Sequence, residues 1–377
     1  MKYILFVLLA IALSVHAQDK NQQLVIKGTI HGDNKGFTKV YCYGEGIPKG
    51  LVQEMKNDTF EFILQFEQPI YPLFYTEYDR KVKNGYVPFG LPVDKPGAVN
   101  ITIENIDNGF NSSIVTGLQT PTLYQSFNSD INKADEQIAE LLKKQYGASR
   151  VSGENPHYDQ INKTRDSLMK IMYRPLLAKF IAEHSDTYAG IVVLKEYKTT
   201  LDVKDIADYY GKFTEEMKNS IPGKSVADYL SGFENSQIGS LVKNFTLMTN
   251  EDKPFDFAQL KGKYIVLDFW ASWCGACRQA FPHMREIYGK YKDKEVAFVN
   301  ISIDTDKAKW LAAVAEENNP WTQLLNNDNV AQKLFGETAI PITFLIDKEG
   351  KIIAKELGYD PTRNSAIENE LKRLLGF

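Results

Sequence analysis

The sequence predicts three parts in series: a small all-β domain, an all-α segment and a C-terminal α/β domain. Three observations carry that prediction. Over residues 22–117 apolar and polar residues alternate with period two, the mark of half-buried strands. Near residue 119 the period lengthens to three and four, the mark of a helix with one apolar stripe. Beyond residue 240 short apolar runs and helical stripes take turns, the pattern of an α/β layer structure. A length of 377 residues accommodates two or three domains. The composition, 43% hydrophobic and 24% charged, is that of a globular protein and excludes a disordered chain or a collagen-like fibre. A net charge of -4 offers nothing to neutralise phosphate, so no nucleic-acid partner is expected. Three cysteines are too few for a disulfide scaffold or a four-ligand zinc site. Five histidines, one of them in the leader, leave little for a metal cluster, and no metal is expected.

Residues 1–17 read as a secretory signal peptide. Lys2 supplies the positive start, residues 3–15 form an apolar run, and Val15-His16-Ala17 offers a small-residue cleavage site. The run is shorter than the roughly 20 apolar residues of a membrane span, so no stable insertion is expected after cleavage. No cysteine lies near the cleavage point, which argues against a lipid anchor. The expected location is the periplasm, where disulfides form and persist.

In the β domain, 18–118, Phe60, Phe62, Leu64 and Phe66 alternate with Thr59, Glu61 and Gln65. Val99, Ile101 and Ile103 alternate with Asn100, Thr102 and Glu104. Further runs at 24–30, 38–43 and 73–78 are separated by Gly, Pro, Asn and Asp clusters, which predicts a small antiparallel sandwich or open barrel. Cys42 lies in one of these runs and reads as an inert buried thiol. In the helical segment, 119–235, Phe127, Ile131, Ala134, Ile138 and Leu141 predict one stripe. Leu168, Met172, Leu176 and Phe180 predict a second, with a kink or restart at Pro175. Shorter helices are expected at 187–197 and 203–219. Residues 231–240, SGFENSQIGS, read as a polar linker. In the α/β domain, 239–377, strands are expected at 264–270, 296–303, 342–346 and 351–356. Helices are expected at 278–291, 307–318 and 362–376, with a hairpin turn at 347–350.

The chemistry concentrates in Asp268-Phe269-Trp270-Ala271-Ser272-Trp273-Cys274-Gly275-Ala276-Cys277. A lone C-x-x-C fits half a zinc site as well as a redox pair, but no second Cys or His pair lies at ligand spacing. The pair follows a buried strand and opens a helix. A helix N-terminus carries unpaired N–H groups and partial positive charge, so a thiolate in its first turn is stabilised and nucleophilic near neutral pH. Two intervening residues return the second sulfur to the same turn, within bonding reach of the first. Cys274 is therefore the expected attacking thiol and Cys277 the resolving one. Trp273 is the expected substrate contact, while Trp270 is partly core. His283 reads as a helix-face residue rather than an acid–base group.

These residues resemble the thioredoxin superfamily, most closely its secreted TlpA/ResA-like branch. The matching pieces are DFWASWCGAC, Pro282, and Ala339-Ile340-Pro341-Ile342-Thr343-Phe344-Leu345-Ile346-Asp347 ahead of Gly350. The resemblance implies a thioredoxin fold over 239–377, with a helix-and-strand insertion around 307–325. It implies that Pro341 is cis and faces the cysteines, and that the Ile340 backbone docks substrate as an added strand. Gly275 and Ala276 would complete the substrate-binding surface. It further implies that Asp268 is the buried carboxylate that shuttles the resolving thiol's proton. Two departures stand out: Gly275-Ala276 replaces the Gly-Pro of thioredoxin, and Asn300 stands where thioredoxin has a lysine near the aspartate. Residues 22–235 resemble N-terminal segments often found before such domains, with no chemistry to carry over.

The expectation is a periplasmic thiol–disulfide oxidoreductase with no cofactor beyond the Cys274–Cys277 couple. Ile340 before the proline leans toward reduction of oxidised client proteins. Recharging would then fall to a membrane electron donor of the DsbD or CcdA type. Three other readings remain open. One is a disulfide oxidase or isomerase. Another is a thiol peroxidase, which wants Thr or Ser where this chain has Ala271. The third is a binding or assembly protein with an accessory redox domain.

Overall fold

The computed structural model describes residues 22–376 apart from 45–46, 48–49, 83–87, 108, 150–156, 327–329, 337–338 and 362–363. The expected leader, 1–17, lies outside the described residues. The chain divides into two compact units between Val193 and Leu194.

The first unit opens with β1 (Gln23–Ile30), β2 (Lys39–Tyr43), β3 (Leu51–Glu54), β4 (Thr59–Gln65), β5 (Leu73–Thr76), α1 (Glu77–Lys81), β6 (Phe89–Gly90), β7 (Gly97–Ile103) and β8 (Ile114–Gly117). These strands form two sheets, ordered β4-β1-β7-β8 and β3-β2-β5-β6. The alternating residues turn inward together: Leu24, Ile26, Phe60, Phe62, Phe74, Val99 and Ile101 share one core. Each such side chain contributes about 1.5–3 kcal/mol on burial. The sandwich is not purely antiparallel, because β1 pairs with β7 in parallel. A parallel pair needs a long connection, and the rest of the sandwich between these two strands supplies it. The run expected to continue as strand to residue 78 instead turns into α1 after Thr76. Thr76 and Asp79 form a reciprocal capping box there.

Two long helices follow, α2 (Gln119–Tyr146) and α3 (Tyr158–Glu183), then α4 (Tyr188–Tyr197). Gly147, with φ 76°, ends α2 in the left-handed conformation that glycine adopts without strain. Phe127, Ile131, Ala134 and Ile138 are buried as a stripe, but Leu142 continues it and Leu141 is exposed. In α3 the buried residues are Ile161, Tyr173, Leu177, Phe180 and Ile181; Phe180 is as expected, while Tyr173 and Leu177 lie one position on from Met172 and Leu176. The helix continues through Pro175 without a restart.

The second unit contains α5 (Val203–Lys212), α6 (Glu215–Asn219), α7 (Ile221–Asn235), β9 (Thr246–Thr249), β10 (Pro254–Asp256), β11 (Tyr264–Trp270), α8 (Gly275–Tyr291), β12 (Val296–Ser302), α9 (Lys307–Glu317), β13 (Thr322–Leu325), α10 (Val330–Phe335), β14 (Ile342–Ile346), β15 (Ile352–Leu357) and α11 (Ala366–Leu375). Seven strands order as β10-β9-β13-β12-β11-β14-β15, with β13, β12 and β11 parallel and β14 and β15 antiparallel. This is the thioredoxin-type sheet, and α9 with β13 fills the expected insertion. Alternate residues of β11 feed two cores. Val266 and Trp270 pack with α8, while Ile265, Leu267 and Phe269 pack on the opposite face with α10.

The expected linker at 231–240 is helical through Asn235, and the predicted helical segment 119–235 falls in both units. Ser220 caps α7 by accepting from the Gly223 N–H, and Pro222 fits its first turn. Gly232, which reads as a linker residue, is a packing residue. A Cβ there would lie 2.1 Å from the Gln332 carbonyl oxygen and 2.6 Å from the Gly336 Cα. The two backbones touch because neither residue has a side chain, and α10 in turn sets Phe335 against Phe269 and Phe344.

Alanine favours a helix over glycine by about 1 kcal/mol, so propensity alone would make Gly232→Ala stabilising. The close approach reverses the sign: urea unfolding of Gly232→Ala is expected to show a loss of about 1–3 kcal/mol.

Candidate functional site

The site begins where β11 ends. Its last residues are wholly apolar except Asp268, and a short loop, Ala271–Trp273, leads into α8. Cys274 is the N-cap of that helix, in the extended conformation, and its Sγ accepts from the Cys277 N–H at 3.1 Å. A sulfur thus occupies the place where a serine or aspartate oxygen ordinarily satisfies an orphan N–H. No acidic side chain lies in the first turn to oppose a thiolate. Cys274 and Cys277 are joined as a disulfide, with Cα atoms 5.3 Å apart. Cys277 is fully buried, Cys274 keeps a small exposed edge, and Trp273 beside it is 67% exposed. Gly275 and Ala276 are exposed in the first turn of α8.

The loop is held by a group that sequence reasoning missed. Asp304, just past β12, is buried and accepts three hydrogen bonds. The Ser272 N–H donates at 2.8 Å, the Ser272 hydroxyl at 2.6 Å and the Ser302 hydroxyl at 2.6 Å. This fastens the residues ahead of Cys274 to the end of β12. On the far side, Arg278 reaches Glu316 at 2.7 Å and Glu317 at 2.5 Å, tying the start of α8 to α9.

Asp268 is 3% exposed and faces α8. It lies between Val266 and Trp270, both in the packed cluster that holds Cys274, Cys277 and Ile340. Burial pushes its carboxyl up to about 7, opposed by a hydrogen bond from the Thr343 hydroxyl at 2.8 Å. Desolvation wins because one neutral donor cannot replace water around a carboxylate. Asn300, its register neighbour on β12, does not bond to it; the Asn300 Oδ1 accepts from the Trp321 indole at 2.7 Å.

The Ile340–Pro341 peptide is cis. Pro341 lines a small cleft with Ala280 and Met284 of α8, Thr343, Glu356 and His283. Trp273, Cys274, Gly275, Ala276 and Cys277 thus lie at the start of α8, Asp268 faces that helix from β11, and Pro341 lines a cleft along the helix's middle. Thr343, Glu356, Ser272 and Asp304 join them unannounced. His283 sits on the cleft wall, 3.8 Å from Glu368. Cys42 is buried in the other unit, and desolvation pushes its thiol up to about 12. Among the described residues no group of three His, Cys, Asp or Glu could hold a metal, and no helix is long and apolar enough to cross a membrane.

Comparison with known proteins gives this geometry a family. The Redoxin family model matches residues 237–371. The thiol-disulfide oxidoreductase ResA of Bacillus cereus is 31% identical over 146 residues, 39% of this chain and 83% of the relative. The chain belongs to the ResA family of thiol–disulfide oxidoreductases. The ResA of Bacillus subtilis is 29% identical and aligns over 33% of this chain and 69% of its own length. A solved thioredoxin domain of a Bacteroides vulgatus thiol-disulfide oxidoreductase, 27% identical, aligns over 37% of this chain and 99% of its own, with a TM-score of 0.34. The Redoxin match covers the part of the chain that carries the cysteine pair.

Asp268 links the site to stability. Its folded value near 7 lies above the unfolded value near 3.8, so the folded state holds a proton that the unfolded state has released. Stability from this group is complete below about pH 4 and is lost as pH rises through 7. Asp268→Asn removes the penalty, so the oxidised variant should exceed wild type by roughly 4 kcal/mol at pH 8. The gap should close toward pH 4. Denaturant unfolding at the two pH values checks both the sign and the window.

Proposed function

We propose that this oxidoreductase works in the periplasm as a reductase of client protein disulfides. The observation that carries the reading is a disulfide whose first cysteine caps α8 beside the exposed Trp273, on a helix that packs over the strand bearing buried Asp268. In the reduced enzyme Cys274, as thiolate, attacks a client disulfide. One client sulfur leaves as thiolate and takes up a proton, and a mixed disulfide forms. Cys277 then gives its proton to Asp268 and attacks the Cys274 sulfur. The second client sulfur leaves, and the Cys274–Cys277 disulfide is restored with two electrons delivered to the client.

Each neighbour has a part in this. Trp273 offers an exposed aromatic surface to the client chain, beside Gly275 and Ala276. The Ile340 backbone ahead of Pro341 is the edge on which an extended client segment would lie. Recharging requires a reductant, because the periplasm is kept oxidising. A membrane electron donor of the DsbD or CcdA type fits that need. The apolar leader at 1–17 supports export, and the chain's net negative charge supports a protein rather than a nucleic-acid partner. No cofactor beyond the cysteine pair enters the scheme.

Direction is settled by the potential of the Cys274–Cys277 couple. Equilibration with glutathione and with thioredoxin should place it below about -210 mV; a value well above about -180 mV overturns the reductase reading. Cys277→Ser should accumulate mixed disulfides through Cys274 when the full chain is expressed with its leader. Trapped adducts that resolve on adding dithiothreitol identify the clients, whereas an equal yield from Cys274→Ser overturns the assignment of the two thiols.

A further inference from the structure

Register places five polar residues in one row across the sheet, beneath the helix that carries Cys277. Gln323 on β13, Asn300 on β12, Asp268 on β11, Thr343 on β14 and Glu356 on β15 are successive pairing partners. Paired residues share a face of the sheet. That face is the one toward α8, because Val266 and Trp270, flanking Asp268, pack with Cys277 and Phe281. Along β11 and β14 the flanking residues, Leu267, Phe269, Ile342 and Phe344, are apolar. A polar row through such a layer costs stability wherever its members lack hydrogen-bond partners.

The two halves of the row differ in chemistry. On one side stand two buried amides. Asn300 Oδ1 is committed to Trp321, and Asn300 Nδ2 and Gln323 Oε1 have no partner among the described residues. An amide nitrogen donates but does not accept, and the Asn300 oxygen is taken by Trp321, so a proton on Asp268 has no exit in that direction. On the other side stand a hydroxyl and then a carboxylate. The Thr343 hydroxyl donates to Asp268 Oδ1 at 2.8 Å, and Thr343 also lines the cleft shared with Glu356, His283 and Ser365. Glu356 is fixed there, its Oε2 accepting from the Ser365 hydroxyl at 2.7 Å and the Ile367 N–H at 3.4 Å. The cleft is wide enough to hold water.

We propose that Thr343 and Glu356 form the proton exit of this enzyme: Thr343 relays the proton between buried Asp268 and the cleft, and Glu356 receives it at the cleft mouth. A threonine hydroxyl has one donor and two acceptor positions. It donates to Asp268 when that group is ionised. When Asp268 is protonated it accepts from Asp268 and donates to cleft water, so one proton passes and Thr343 returns to its starting state. Proton count then balances in each cycle: Cys277 Sγ loses one proton, Asp268 holds it transiently, and the cleft releases it. Oxidation of a client would run the same path inward, so the proposal rests on the thiol roles assigned above and not on their direction. The ionisable groups on the elements packed against Asp268's face are Cys274 and Cys277 of α8 and, through Thr343, Glu356 of β15 and His283 on the cleft wall. Thr343 is a positioning and relay residue, not one that touches the client.

The test follows reduced full-length protein mixed with a small aromatic disulfide whose thiolate products absorb visible light. The first thiolate reports attack by Cys274 and the second reports resolution by Cys277. Thr343→Val should leave the first phase unchanged and slow the second about tenfold or more. It should also move the pH midpoint of the second phase upward, because the donor that favours ionised Asp268 is gone. Thr343→Ser should restore the second phase to within about twofold of wild type, and Glu356→Gln should slow it about threefold without moving its midpoint. Equal second phases in Thr343→Val, Glu356→Gln and wild type, with Asp268→Asn slow, overturn the relay alone. A Thr343→Ser variant as slow as Thr343→Val also overturns it, since packing rather than the hydroxyl would then matter. An unchanged second phase in Asp268→Asn overturns the role given to Asp268 as well.

Discussion

One hydrogen bond organises the functional end of this molecule: the N–H of Cys277 points at the sulfur of Cys274. Helices usually meet that requirement with an oxygen. Using sulfur instead places an oxidisable atom at the positive end of a helix dipole and fixes the second sulfur one turn away. Much of the surrounding structure keeps the arrangement in register. Asp304 holds the approaching loop through both groups of Ser272, and Arg278 clamps the first turn to α9. Trp270 and Phe281, edge to face at 5.1 Å, fix how closely strand and helix approach.

The local part of this was legible in the sequence and the non-local part was not. Cys274, Cys277 and their place at a helix start follow from a strand pattern running into C-x-x-C. The Ile340–Pro341 site and Asp268 came from resemblance. Thr343 stands two residues after Pro341 and was in view, yet its role depends on pairing with Asp268, 75 positions earlier. No periodicity reveals which strand lies beside which. Glu356 read only as the end of a strand for the same reason. Asp304 lies in a loop, where a lone carboxylate carries no pattern. Gly232 misled outright: a glycine among serines suggests a linker until α10 is seen against it. The stripe errors in α2 and α3 have a related cause. Two adjacent apolar residues, Leu141 with Leu142 and Leu176 with Leu177, fit the period almost equally, and the neighbouring helix chooses between them.

The first unit stands apart chemically. Its sandwich has a complete aromatic core, with Phe74 and Phe89 each packed against Phe110. Its cysteine is sealed inside that core, and a thiol pushed up to about 12 has almost no thiolate to offer. Exchange chemistry is thereby confined to the pair in the second unit, without competition from the third cysteine.

The same burial that burdens the fold at Asp268 makes it useful. A thiol of ordinary acidity, near 8.5, gives its proton poorly to a carboxylate whose conjugate acid has a pKa near 4, since the transfer is uphill by more than four units. Raised to about 7, the carboxylate is a far stronger base, and the remaining gap is about one to two units, the matching that proton transfer favours. An apolar residue in place of Asp268 would strengthen the sheet and remove the base. An exposed aspartate would be ionised but too weak to take the proton. In the proposed cycle, a buried carboxyl joined to the cleft through the Thr343 hydroxyl is both reluctant to ionise and able to reset.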